Sequence, residues 1–433
     1  MDALTNGGLA IAALLLLLSF GVPIVWAMSL VAASGMYLVA GPVFAIATFK
    51  TLPVATVSNY SLVVIPMFLL MGSFCFRARI IEGLYDAAHR FTARTKGNLL
   101  IATVLASAAF AAASGSSLAA SSMFARVAMP QMLKYKYAPG VAAACIAATG
   151  TLAAIIPPSV AIVIVASLTS QSAGKLLIAG VLPGLLTAAV YVVGIKLFLL
   201  RFSDWAPDTD ERFSWREKIV GLKSVWSVVV LGGFVMGGIY VGWFSPSSAG
   251  AVGAAGALLI GLSTRTIKLP GIWDSLAECA YGTARLLAII VAGLLFSRFL
   301  AVSGFITTMN TTIAELGVSP FTLMACMIAI YLILGMFVDS LSLLVITLPT
   351  LFPISQSVGL DPVWFAIISI KLVEIAAITP PVGLNLFAVL GATDAVSSAQ
   401  LFRGIVPFIV LELVTLTLLI AFPVIATWLP SQM

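Results

Sequence analysis

Long apolar runs separated by short polar stretches fill this chain from end to end, and their order occurs twice. In the first half, runs at about 8–25, 28–46 and 61–76 approach or reach the length of a membrane-crossing helix. Residues 77–96 break the pattern. There Ile80, Ile81, Leu84, Tyr85 and Ala88 recur at helical spacing among Arg77, Arg79, Glu82, Asp86, Arg90, Arg94 and Lys96. This predicts an amphipathic helix lying in the membrane interface. An apolar stretch at 97–133 follows, interrupted by Ser114-Gly115-Ser116-Ser117. Next come a segment at 139–170, broken at Pro157-Pro158, and a last run at 176–200.

The hydrophilic stretch 201–223 carries Asp204, Asp208, Asp210, Glu211, Arg212, Arg216, Glu217 and Lys218. It reads as a cytoplasmic join between two repeats, 1–200 and 224–433. The second repeat runs in the same order: spans at 225–243, 248–262 and 285–302, and a short amphipathic connector at 303–318. A stretch at 319–353 interrupted near Gly335, a segment at 362–391 broken at Pro380-Pro381, and a span at 402–428 complete it. Prolines date the duplication. Pro23, Pro130, Pro139, Pro157 and Pro158 each have a partner 223 positions on, at Pro246, Pro353, Pro362, Pro380 and Pro381. Ordinary proline usage of about 5% predicts fewer than one such pair by chance.

Composition agrees. Of 433 residues, 61% are hydrophobic and 9% charged, far below the roughly 25% charged residues of a soluble domain, so the chain belongs in a lipid bilayer. The net charge of +6 sits in a few short loops and is no nucleic-acid footprint. Cys75, Cys145, Cys279 and Cys326 are scattered in apolar surroundings and suggest neither disulfides nor a metal site. Met1-Asp2-Ala3 lacks the basic region of a cleavable signal, so the first run is expected to be a true span.

Stretches 97–133 and 319–353 can each form two full spans or one re-entrant hairpin. Loop charge chooses between these. With hairpins, the polar loops 77–96, 134–136, 201–223 and 265–268 share one face with Arg403, and Lys/Arg concentrate there as the positive-inside rule requires. Lys50 and Lys175 fall on the wrong side. Five crossings per repeat then invert the second copy and turn both termini outward. The expected fold class is an all-α integral membrane protein of two inverted-topology repeats, each with scaffold spans (8–76 and 225–302), a re-entrant helical hairpin and a broken helix. Interrupted helices at matching places in two repeats are a mark of secondary transporters.

Backbone at membrane depth must be satisfied internally or line a polar cavity. Pro157-Pro158 and Pro380-Pro381 remove donors and free carbonyls, which can coordinate a cation, while the half-helices that follow favour an anion at their N-termini. Ser159, Gly383 and Asn385 stand ready to complete such sites. The alternative is a simple proline kink. Ser114, Gly115, Ser116 and Ser117 can supply oxygen ligands at a hairpin tip, or serve close helix packing. Their counterpart is Gly335-Met336-Phe337-Val338-Asp339-Ser340, which sets Asp339 opposite Ser116. An intramembrane aspartate suits Na⁺, with a proton as the competing ligand. Lys371 and Glu374, one turn apart, read as an internal ion pair. The chain has no G-x-x-x-x-G-K-[ST] and no H-E-x-x-H, and its one histidine, His89, lies far in sequence from the serine cluster, so enzyme chemistry is not expected.

These residues resemble the large membrane subunit of tripartite ATP-independent periplasmic (TRAP) transporters. The likeness rests on Ile65-Pro66-Met67-Phe68, Ser114-Gly115-Ser116-Ser117, Thr169-Ser170-Gln171-Ser172, Leu182-Pro183-Gly184-Leu185, Gly335-Met336-Phe337-Val338-Asp339 and Ile378-Thr379-Pro380-Pro381-Val382-Gly383-Leu384-Asn385. It spans nearly the whole chain. The resemblance implies a bacterial inner-membrane subunit paired with a small four-helix membrane subunit and a periplasmic substrate-binding protein. It implies Na⁺-coupled uptake of small organic acid anions by an elevator movement, without an organic cofactor. Carried over by motif, one Na⁺ falls to Ser114, Gly115, Ser116 and the Pro157-Pro158 loop. A second falls to Gly335, Asp339, Thr379, Pro380 and Pro381. Ser117, Ser159, Ser340, Gly383 and Asn385 are left for the substrate. Lys371 departs from the family's usual uncharged residue. The competing expectation is a single-component ion-coupled anion carrier that needs no binding protein.

Overall fold

A computed structural model describes residues 2–207, 211, 213–223 and 225–433; Met1 and the linker charges Asp208, Asp210 and Arg212 lie outside the described residues. Helices account for almost all of the described chain. The first repeat contains α1 (Ala3–Ser19), α2 (Ile24–Val57), α3 (Val64–Arg77), α4 (Ile80–Thr92), α5 (Asn98–Ser114) and α6 (Ser117–Lys134). It continues with α7 (Pro139–Gly150), the one-turn α8 (Leu152–Ile155), α9 (Val160–Thr169), α10 (Ala173–Ala179) and α11 (Val181–Arg201). A short α12 (Trp215–Leu222) lies in the linker. The second repeat holds α13 (Trp226–Tyr240), α14 (Pro246–Ser263), α15 (Leu269–Val302), α16 (Phe305–Glu315), α17 (Pro320–Gly335) and α18 (Ser340–Ser357). It ends with α19 (Pro362–Ala377), α20 (Leu384–Leu390), α21 (Ser398–Ala421) and α22 (Val424–Thr427).

The 223-residue offset carries over to whole elements. Helix α6 shifted by 223 coincides with α18 at both ends, and α5 shifted likewise falls within two residues of α17. Seven helices among the described residues are long and apolar enough to cross a membrane, and up to nine if each bent pair counts as one span. The chain is thus an all-α, multi-span membrane protein built from two matching sets of elements.

Boundaries differ from the sequence reading in two instructive places. The first span stops at Ser19, not near residue 25, because Gly21 takes a left-handed φ of 76° and Pro23 caps the next helix. The apolar Val22, Ile24 and Val25 hide that turn in the sequence. Helix α2 runs on to Val57 through a break at Gly41, and α15 begins at Leu269, well before the expected Arg285. At 34 residues α15 is about 51 Å long, against a hydrocarbon core of about 30 Å, whereas α2 has as many residues in two helical pieces joined at the Gly41 kink. Under the offset 269–280 is equivalent to 46–57, so the extra lengths largely correspond.

The repeats interleave. Helix α15 packs along α2 and α3, and α14 along α3. On the other side, α20 lies against α6 and α7, α21 against α7, and α18 against α9. The arms are handled differently in the two halves. Helix α4 buries Ile80, Ile81, Leu84 and Tyr85 chiefly against α5, whereas its equivalent α16 packs on α1, α15 and α18.

Candidate functional site

The diproline segments interrupt both helices. Helix α8 ends at Ile155, and Ile156 is extended (φ −77°, ψ 123°), as the ring of a following proline demands. Helix α9 starts again at Val160, bent by 44° from the segment before it. In the second repeat, α19 stops at Ala377 and α20 begins at Leu384. Both diproline bonds are cis.

The first hairpin tip sits on the first break. Gly115, at φ 64°, closes α5. Its carbonyl accepts a hydrogen bond from the Val160 amide at 3.2 Å, and a Cβ added to it would lie 2.9 Å from the Pro158 carbonyl oxygen. Ser116 caps α6 through its hydroxyl, which accepts from the Ala119 amide at 3.4 Å. Ser114 is buried, and its hydroxyl has no hydrogen-bond partner. Ser159 is fully buried, but its hydroxyl spans the break, donating to the Ala154 carbonyl and accepting from the Ile162 amide at 3.3 Å. Its groups are committed to holding the half-helices together.

The second tip is built on the same plan with a charge in place of the hydroxyl. Asp339 is the N-cap of α18, accepting from the Ser342 amide at 3.1 Å and from the Ser342 hydroxyl at 2.6 Å. Ser340 follows it and is part-buried. Gly335 does not reach the tip cavity: a Cβ there would come within 2.2 Å of the Ala376 Cβ, so this glycine serves the close approach of α17 to α19. Thr379 donates back to the Ile375 carbonyl at 2.7 Å. Gly383, at φ 59°, opens α20 without a side-chain cap. Asn385 is fully buried, and neither its amide nitrogen nor its amide oxygen has a partner. An unmet buried polar group costs about 1–3 kcal/mol, so two on one side chain single out Asn385 as a candidate ligand.

The tips meet around one cavity of about 550 Å³. Gly115, Ser116 and Ser117 line it from the first hairpin, Asp339 and Ser340 from the second, and Ala154 and Val160 from the first broken helix. Glu374 and Leu384 enter from the second broken helix, and Arg285 from α15. A neighbouring space of about 1000 Å³, walled by α1, α2 and α15, shares Arg285, Ile289, Phe337 and Asp339 with it.

The expected Lys371–Glu374 pair does not form. Lys371 is paired instead with Glu412 of α21 and donates to the Thr187 hydroxyl at 3.1 Å. Glu412 also accepts from Tyr191 and, at 3.3 Å, from Thr151. This knot is completely buried and satisfied around its lysine, as a charge in a dry interior requires. Glu374 is left with one bond, from the Ser117 hydroxyl at 3.3 Å, and one free carboxylate oxygen beside the cavity.

Sequence reasoning missed Arg285, Glu412 and the link between Ser117 and Glu374. The signal was available: a lone charge inside an apolar run is a functional candidate by default. In the sequence Arg285 stands at the edge of an expected span, and Glu412 lies inside the last one.

Two interrupted helices and two capped hairpin tips around a shared cavity define a membrane carrier of the repeat-built kind. Comparisons with known proteins agree. The model of the DctM component of the tripartite ATP-independent periplasmic transporters matches residues 11–425. The C4-dicarboxylate TRAP transporter large permease of Pseudomonas aeruginosa is 34% identical over 378 residues, covering 87% of each chain. The sialic acid large permease of Vibrio cholerae is 29% identical over 376 residues, again 87% of each. The ectoine/5-hydroxyectoine large permease of Ruegeria pomeroyi is 28% identical over 417 residues, covering 96% of each. Among solved structures, the YdaH transporter of Alcanivorax borkumensis superposes with a TM-score of 0.62 at 12% identity, over 89% of this chain and 90% of that one, a likeness of fold. The chain belongs to the DctM, or large permease, family of TRAP transporters.

Proposed function

We propose that this permease imports a small organic anion together with Na⁺ across a bacterial inner membrane, working with a small four-helix membrane subunit and a periplasmic binding protein. The observation that carries this reading is the convergence of both tips and the flanks of both breaks on one cavity; Ser114 and Asn385, next in sequence to its lining residues Gly115 and Leu384, each carry an oxygen without a partner. One Na⁺ would take the Ser114–Ser116 tip and the Pro157-Pro158 loop. The other would take Asp339 and the Thr379–Asn385 loop, with Asn385 Oδ1 as a natural ligand. Asp339 can cap α18 and still bind a cation, because a carboxylate has about four lone-pair positions. The hairpins and broken helices would move as a body past the scaffold of α2, α3, α14 and α15, in an elevator stroke, with both termini periplasmic. Relatives that carry dicarboxylates, sialic acid and ectoine support an organic acid as cargo. Two Na⁺ with a monovalent anion move one net charge, which about 100 mV would drive with about 2.3 kcal/mol.

The test is uptake into proteoliposomes holding the permease and its small subunit, with the cognate binding protein outside. Succinate, N-acetylneuraminate, isethionate and ectoine serve as radiolabelled probes. Uptake of at least one is expected to require Na⁺ outside and the binding protein. Uptake that is equal in choline, or that needs no binding protein, overturns the coupling or the tripartite reading respectively.

A further inference from the structure

Arg285 has no role in the sites above, yet it stands among them. It lies at the middle of α15, 16 residues from Leu269 and 17 from Val302. It lines the cavity between the tips together with Ser116, Asp339 and Glu374, and it also lines the neighbouring space. The tips close helices of 17 and 16 residues, so each is about 24–26 Å of helix from the hairpin's entrance. Arg285 meets both tips in that cavity, where Ser116 and Asp339 line the same space. The other basic groups near the cavity walls are occupied: Lys371 by Glu412, and Arg77 by Asp274 and Glu278. The acids in the cavity have their own donors, Ser342 for Asp339 and Ser117 for Glu374. Arg285 forms no ion pair and no hydrogen bond among the described residues, and its side chain is exposed to the cavities.

A guanidinium with five unused donors, held where two helix N-termini also point, is built to take an oxyanion bidentately. We propose that Arg285 anchors the acidic group, carboxylate or sulfonate, of the transported solute. It does so from the scaffold side, so that the anion is gripped between a fixed arginine and the moving tips. This rests on the transport reading above and adds the group recognised and the residue that recognises it. Because Arg285 sits on α15 and the tips on the hairpins, the grip belongs to the one position of the stroke that brings them together. A departing tip leaves the arginine behind and weakens the hold on the solute. The equivalent first-repeat position is Leu62, which is buried, so the cationic anchor exists in only one copy.

The test is direct binding, followed by intrinsic tryptophan fluorescence on purified permease with its small subunit, using succinate, N-acetylneuraminate, isethionate and ectoine in turn. Wild type is expected to bind at least one of the four, each of which carries a carboxylate or a sulfonate. R285Q is expected to lose that binding at least tenfold, and R285K to recover part of it. Gel filtration confirms that each variant folds, and R285K alone carries the test if R285Q does not. An R285Q or R285K affinity within twofold of wild type overturns the proposal. So does binding of ectoine, a zwitterion whose carboxylate Arg285 would also grip, that R285Q leaves unchanged, an outcome that leaves Na⁺-coupled transport standing. Failure of Na⁺-dependent uptake with anion binding intact and lost in R285Q would instead sink the transport reading while keeping the anchor.

Discussion

The two repeats share their helices but not their chemistry. Subtracting 223 from Arg285, Asp339, Lys371, Glu374 and Glu412 gives Leu62, Ser116, Ala148, Thr151 and Ala189. Every charge in the cavity or the buried knot therefore comes from the second half, and each counterpart in the first half is small or uncharged. The counterparts are also partners. Thr151 donates to Glu412, and the Ala148 carbonyl receives the Tyr191 hydroxyl of the same knot. Duplication gave two copies of a broken helix, and their pseudo-symmetric meeting let one copy carry charge while the other supplied the close-fitting, hydrogen-bonding wall.

Burial repeats the contrast. Helix α5 is buried along most of its length, against α3, α4, α7, α11 and α13, and its tip is tied to the first break by the Gly115–Val160 bond. Helix α17 exposes Phe321, Ile330 and Ile333 and packs mainly on α18 and α19. No backbone bond links Val338 to Gly383, the equivalent pair, among the described residues. The first hairpin is tied firmly to its own broken helix and the second more loosely, so local opening should be easiest in the second.

The largest effect should come from making the second tip chemically like the first. D339S keeps a hydroxyl N-cap for α18 and removes the charge. Thermal stability is expected to stay within about 1 kcal/mol, the scale of a cap exchange, while Na⁺-dependent uptake disappears. Uptake with unchanged Na⁺ dependence in D339S would show that both tips work as neutral caps, and the asymmetry would lose its functional meaning.

Next is the knot. K371M leaves Glu412 buried without its cation and should destabilise the protein by roughly 3–5 kcal/mol, read as a lower unfolding temperature in detergent. Removing both charges in K371M/E412Q should recover most of that loss. A single variant as stable as wild type would mean that Thr151 and Tyr191 of the first copy hold Glu412 without its cation.

A smaller effect should follow from loosening the tie of the first hairpin to its broken helix. G115A forces a side chain onto a φ of 64° and 2.9 Å from the Pro158 carbonyl. The left-handed conformation alone costs about 1–2 kcal/mol. Hydrogen exchange is expected to rise across 112–118 and 156–160 together, because the Gly115–Val160 bond couples them, and to stay unchanged across 336–341.

Much of this was legible in the sequence. The proline offset, the Ser-Gly-Ser-Ser cluster and the Asp339–Ser116 equivalence point to the repeats and the tips, since helix breaks are written in residues that cannot be helical, whereas the role of Ser116 and Asp339 as matching caps emerges only from the fold. What stayed hidden is set by distance in space. Lys371 has an acid one turn away in sequence, yet it pairs with Glu412 across to α21, and no local spacing rule reaches that choice. Ser159 looked like a ligand because a hydroxyl after a break can face either the cavity or its own backbone, and only the fold shows that it faces Ala154 and Ile162. Gly335 looked like part of a tip because it precedes Asp339, but its need is for space against Ala376.

The smallest predicted effect lies at the joint between the copies. His89 of α4 meets the linker through Glu211, with Nε2 3.3 Å from its carboxylate, and its ring stands edge-on to Tyr135 and Phe213. Burial among these groups lowers the imidazole pKa below its ordinary 6.5, outweighing the pull of Glu211 and Asp86, while Arg90 adds to the lowering. The unfolded chain then binds this proton more readily than the folded one. Stability is therefore full above pH about 6.5 and falls as pH drops below it. The unfolding temperature of wild type is expected to decline between pH 7 and pH 5 more steeply than that of H89Q. The difference should be small, because the ring keeps partial access to water and Glu211 partly compensates its charge. Equal slopes would mean that the α4–linker contact opens at no cost. The clamp on the first hairpin would then owe nothing to the linker, and the firmness of its tie would have to come from α5 packing alone.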